Sequence, residues 1–98
     1  MSADLVFRPE AEAELEEAFE WYQKRRAGLG FDFLRRVEEA LDRVRRDPES
    51  LPLVYRSARQ ILLRQFPFAV YFTVSAEKIT VIAVFHGSRD PKAWQARA

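Results

Sequence analysis

The run Lys78-Ile79-Thr80-Val81-Ile82-Ala83-Val84-Phe85-His86 constrains this chain more than any other stretch: it reads as a long apolar strand that stops at Gly87. Side chains alternate along a strand, so Ile79, Val81, Ala83 and Phe85 are expected on one face and Thr80, Ile82, Val84 and His86 on the other. Both faces are mostly apolar. Such a strand lies inside a sheet with cover on each side, supplied by the chain itself or, on one side, by a partner. After Gly87 the residues Ser88-Arg89-Asp90-Pro91 bring a His, an Arg and a helix start to one point on the surface.

The rest of the chain must supply the sheet and its cover. At 98 residues, 48% hydrophobic and 32% charged, residues 1–98 fit one domain. No segment approaches the ~18 to 20 continuous apolar residues of a membrane span, and Met1-Ser2-Ala3-Asp4 begins nothing like a signal peptide, so a cytoplasmic protein is expected. Cysteine is absent, which removes disulfides and thiol chemistry, and one His makes a protein-only zinc site a poor prospect. Neither metal nor cofactor is expected. The net charge of +1 conceals an asymmetry: residues 1–50 hold nine Lys/Arg against thirteen Asp/Glu, and residues 51–98 hold seven against two. The basic half suits nucleic acid or an acidic protein segment; the simplest account of the acidic half is two solvated helix faces.

In chain order, Asp4–Phe7 is a short strand and Pro9 opens a helix to about Arg26, with Ala11, Leu15, Ala18, Phe19 and Tyr22 on one stripe. Trp21 lies off that stripe and is expected to widen the buried face. A break at Ala27-Gly28-Leu29-Gly30 precedes a second helix from about Phe31 to Arg46, apolar at Phe33, Leu34, Val37, Ala40, Leu41 and Val44. So short a connection implies an antiparallel helical hairpin. Strands follow at Leu53–Arg56, Arg59–Phe66, Phe68–Val74 and Lys78–His86, and their short links imply an antiparallel meander under the hairpin. Asp90 as N-cap and Pro91 as first helical residue start a final helical turn, from which Trp94 packs back as a lid or joins a contact surface. The expected class is α+β: an N-terminal strand, a two-helix hairpin packed on an antiparallel sheet meander, and a short C-terminal helix.

The hairpin, the meander, the motif Phe68-Ala69-Val70-Tyr71-Phe72 and above all Val81-Ile82-Ala83-Val84-Phe85-His86-Gly87-Ser88-Arg89-Asp90-Pro91-Lys92-Ala93-Trp94 resemble the RelE/ParE toxin superfamily over nearly the whole chain. The ending is most similar to the ParE-like branch, often labelled plasmid-stabilisation proteins. The resemblance implies a bacterial toxin of a type II toxin–antitoxin module, neutralised by a cognate antitoxin that wraps a flexible segment over its apolar surface, Ile82 and Val84 included. Arg56, Arg59, Arg64, His86, Arg89 and Trp94 complete the expected antitoxin- or target-binding set.

Within the superfamily, ParE-like members bind and poison DNA gyrase, whereas RelE-like members cut messenger RNA on the ribosome with cationic and proton-carrying side chains. Here the sequence departs from the nucleases. Where they carry Gly-Tyr-Arg it reads Pro67-Phe68-Ala69, so the Arg position is Ala69; Gln60-Ile61-Leu62 stands where they can carry Lys; their C-terminal Tyr falls near Trp94-Gln95. These departures favour a gyrase-directed toxin with no catalytic residues. The endoribonuclease alternative would use Arg64, His86 and Arg89, and only it requires direct contact with nucleic acid. A plainer role for His86 is to hydrogen-bond the turn that follows it, and a non-toxic antitoxin-binding relative is a third reading.

Overall fold

The computed structural model describes residues 4–98, so the reading of Met1-Ser2-Ala3 as no signal-peptide start lies outside the described residues. The elements are β1 (Asp4–Phe7), α1 (Pro9–Arg25), α2 (Leu29–Arg46), a 3₁₀ turn (Pro48–Ser50), β2 (Leu53–Tyr55), β3 (Ala58–Leu62), β4 (Phe68–Ser75), β5 (Lys78–His86) and α3 (Lys92–Gln95). They build an α+β fold on one sheet of order β1-β5-β4-β3-β2. The meander β2 to β5 is antiparallel as expected, and β1 joins β5 in parallel, which makes the sheet mixed. No helix among the described residues is long and apolar enough to cross a membrane.

Pro9 occupies the first turn of α1, where its missing N–H does no harm, and Lys24 and Arg25 close the helix in keeping with the macrodipole. Main-chain hydrogen bonding at this start, with Arg8 nearby, holds the Glu10 carboxyl below its ordinary pKa. α2 begins two residues before the expected Phe31 because its N-terminus is capped from the other helix. Gln23 Oε1 accepts from Gly28 N–H at 3.2 Å and from Gly30 N–H at 2.9 Å. Glycine at position 30 permits this approach: a Cβ there would lie 2.7 Å from the Phe19 carbonyl oxygen.

The hairpin covers one face of the sheet. Phe33, Val37 and Val44 from α2 are buried with Val70, Phe72, Ile79, Val81 and Val84. The opposite face carries a smaller buried group, Ala58, Ala69, Tyr71, Ile82, Ala83, Phe85 and Trp94. These groups correct the expected alternation along β5. Tyr71 pairs with Ala83 and Phe72 with Val81, which leaves Ile82 unopposed as a bulge. One extra residue reverses the parity, so Val84 joins Ile79 and Val81 under the helices while Ile82, Ala83 and Phe85 face the other way.

α3 starts at Lys92, with Pro91 as its N-cap, rather than at Pro91; Asp90 still supplies a cap of sorts, its Oδ1 accepting from Lys92 N–H at 3.0 Å. β3 ends at Leu62, four residues short of the expected Phe66, and Gln65 at φ 74° belongs to the connection into β4.

Candidate functional site

β1 ends at Phe7, opposite Val81, so among the described residues no strand lies beside the last five residues of β5 on that side. Gly87 N–H donates to Pro67 O at 2.9 Å, which makes Phe68–His86 and Val70–Val84 pairs of the kind that turn their main-chain groups away from β4. Side chains substitute for the missing strand. Glu14 Oε1 accepts from Val84 N–H at 3.0 Å, and Arg97 Nη1 donates to Ile82 O at 3.0 Å. The two close on each other through a pair of bonds, Arg97 Nη1 to Glu14 Oε1 and Arg97 Nη2 to Glu14 Oε2, both 3.0 Å, with side chains only 16% and 13% exposed. Arg8 then donates to Arg97 O at 3.1 Å and ties down the C-terminal segment.

Beyond this pair lies a cleft of about 280 Å³ between α1 and the end of β5, lined by residues that include Glu17, Trp21, Tyr22, Phe68, His86 and Arg89. Trp21 does not widen the core as expected. It is 52% exposed, forms one wall of the cleft, and carries the Arg25 guanidinium 4.1 Å from its ring centroid. Burial raises the Tyr22 phenol above its ordinary pKa of 10.0. His86 makes the turn hydrogen bond expected of its plainer role: its Nδ1 accepts from Ser88 N–H at 2.9 Å and lies 2.7 Å from Ser88 Oγ. In the neutral ring an accepting Nδ1 leaves the proton on Nε2, so His86 can offer the cleft a donor.

Of the other expected site residues, Ile82 and Val84 are 2% and 1% exposed and Trp94 is 3% exposed. They are covered by this chain, because the bulge and the returning C-terminus close both faces of β5 from within. Trp94 stacks on Tyr71, centroids 3.9 Å apart and 16° from parallel, and its Nε1 has no hydrogen-bond partner among the described residues. Arg59 braces the chain before β2, donating to Glu49 O at 3.1 Å and Leu51 O at 2.6 Å. Arg56 is exposed beside the Tyr55 ring, and Arg89 lies 4.4 Å over the Phe85 ring, where it covers an end of the smaller apolar group.

His86 and Arg89 thus share a cleft, but Arg64 lines a different one between α2 and β3. The expected set did not include Glu14, Arg97 or Trp21. Glu14 left a signal: it falls three residues after Ala11 and four before Ala18, inside the apolar stripe, where an acid needs a partner.

A family model described as the ParE toxin of type II toxin-antitoxin system, parDE, matches residues 5–91. A solved chain of the chromosomal ParDE TA system from P. aeruginosa has the same fold, with a TM-score of 0.76 at 16% identity over 87% of this chain and 96% of that one. No curated protein matches the sequence.

Proposed function

The chain belongs to the ParE toxin family of type II toxin–antitoxin systems, and from that membership we propose that it arrests growth by binding and poisoning DNA gyrase and is neutralised by a cognate antitoxin. The separation of the candidate catalytic residues carries the choice of binding over chemistry. Phosphodiester cleavage needs its charge-stabilising and proton-carrying groups within hydrogen-bond reach of one reacting centre. Arg64 stands in one cleft and His86 with Arg89 in the other. Several of these groups also have structural work: Arg89 lies on Phe85, and His86 Nδ1 holds the Ser88 turn.

The cleft beside α1 suits a protein ligand. Trp21 and Phe68 give it apolar walls, and Arg89, His86 and Glu17 give it charged and polar points around them. Arg56, Arg64, His86 and Arg89 are accessible as contacts for antitoxin or target, whereas Ile82, Val84 and Trp94 are held within the fold by this chain's own packing. The endoribonuclease reading draws on the shared cleft of His86 and Arg89 alone.

The test is a gyrase reaction on plasmid DNA with the purified chain. Gyrase-linked DNA breaks are expected to accumulate with toxin concentration and to disappear when the antitoxin is added first. Unchanged supercoiling with no breaks, at toxin concentrations that still arrest cells, would overturn gyrase as the target.

A further inference from the structure

The cleft between α2 and β3, about 170 Å³, is lined by Arg36, Arg43, Arg46 and Arg64. The first three recur along α2 at intervals of seven and three residues, so they share one face of the helix over about 15 Å of its length. Arg64 reaches the same space from the connection after β3. Among the described residues of the lining, Glu39 is the one carboxylate. It accepts from Arg36 at 2.7 Å and lies 3.9 Å from Arg64, and Arg36 also donates to Gln65 at 3.1 Å. The Arg64 side chain is nonetheless 79% exposed. Arg43 and Arg46 are exposed and join no ion pair among the described residues. Three cations therefore face solvent with little to neutralise them.

The acidic residues of α1 stand elsewhere. α1 packs on β5, two strands from β3, and carries Glu12, Glu16, Glu17 and Glu20 exposed. The molecule thus has an acidic flank and a basic one, and its field turns the basic flank toward an approaching polyanion.

We infer that this cleft holds the phosphodiester backbone of duplex DNA, with Arg43, Arg46 and Arg64 on its phosphates. The choice of a duplex rests on the function proposed above, because gyrase works on DNA held at its surface. The planar fork of arginine suits phosphate oxygens. A duplex carries one negative charge per ~1.7 Å of its axis, so cations spread over ~15 Å meet several phosphates at once. An acidic peptide meets the same cations, but its carboxylates must be ordered one by one, whereas DNA brings its phosphates already spaced. The uncharged lining residues, Ala40, Ile61 and Leu62, have no side-chain donor or acceptor, so the contact reads no bases and is independent of sequence. His86, the proton carrier, lines the other cleft, and the backbone is held here without being cut. A second contact on the DNA makes gyrase that carries DNA a tighter partner than gyrase alone.

The experiment titrates the full chain with a short fluorescent DNA duplex at low and moderate salt, and then with gyrase in the presence and absence of DNA. With three phosphates engaged, affinity for the duplex is expected to fall about 40-fold between about 50 and 200 mM salt, against about 3-fold for Arg43→Gln/Arg46→Gln, which leaves one cation. Both positions are exposed on α2, so the variant is expected to keep the helical circular dichroism of the parent. A duplex of shuffled sequence should bind equally well. Gyrase carrying DNA should hold the parent about 10-fold more tightly than gyrase alone, and the variant should lose that difference while still binding gyrase alone. No duplex binding at the lower salt, or a variant with the salt dependence of the parent, overturns the inference and leaves the toxin reading intact. Equal affinity of the parent for gyrase with and without DNA also overturns it. Displacement of the duplex by inorganic pyrophosphate at equal phosphate concentration assigns the cleft to small phosphates instead, and tighter binding of an RNA duplex rules out DNA as the ligand. Duplex binding with the expected salt dependence, by a chain that leaves gyrase unpoisoned, removes the proposed function and keeps the assignment of the cleft.

Discussion

Glu14 and Arg97 decide more about this molecule than the residues its sequence advertises. Each is largely enclosed, each meets the other twice, and each also satisfies a main-chain group of β5 that no strand covers. Removing one charge strands the other in a low-dielectric setting. Glu14→Gln is expected to cost about 2 to 4 kcal/mol, read as a lower urea midpoint with unchanged slope; a loss below about 0.5 kcal/mol, the scale of exposed pairs, would show the pair to be solvated. The residue scale is where the sequence was least legible. His86 and Arg89 are found together beside α1, and Phe85, Tyr71 and Trp94 are found in the fold's interior, but the facing of Ile82 and Val84 depends on a bulge set by pairing with β4. Alternation counted along one strand cannot reveal a residue that its neighbour leaves unopposed.

Elements were easier to read, because periodicity, Pro9 and the glycine break at 28–30 act within a few residues of where they stand. β5 spans the expected residues, and α1 differs only in ending one residue earlier, at Arg25. The errors arise where another element intervenes. Gln23 of α1 extends α2 back to Leu29, and Pro52 cuts short the pairing of β2 with β3. The β4–β5 hairpin shows a local cost of another kind. Its two-residue turn places Ala76 at φ 47° and Glu77 at φ 64°, a left-handed pair at two side-chain-bearing residues that have no special liking for it. Replacing them with Asn and Gly should raise stability by about 1 kcal/mol, seen as a higher thermal midpoint, with the β4–β5 register kept. A fall in stability would mean that Ala76 or Glu77 makes a compensating contact in solution.

For the whole molecule, the two faces of β5 pose one question: what covers them. The helical hairpin covers one and the C-terminal segment, through Trp94, covers the other, so the apolar strand that first suggested a missing partner is enclosed by its own chain. Open features of the described residues lie at the margins of the sheet and include the cleft beside α1 with its half-exposed Trp21 and the arginine-lined cleft between α2 and β3. The sequence asymmetry maps onto this only in part, since Arg36, Arg43 and Arg46 belong to the acidic half and yet gather with Arg64 around one cleft. Charge summed over a segment says little about charge on a face. The central claim, a toxin that acts by binding gyrase, is tested most directly by controlled expression of the lone chain and of His86→Ala in a bacterial host, with growth, DNA breaks and transcript cleavage read from the same cultures. Growth arrest with DNA breaks and intact transcripts, retained in His86→Ala, is the expected result. Arrest with cut transcripts and intact DNA, lost in a folded His86→Ala, would contradict it and make His86 and Arg89 catalytic; soluble protein without arrest would leave a binder that is no longer a toxin.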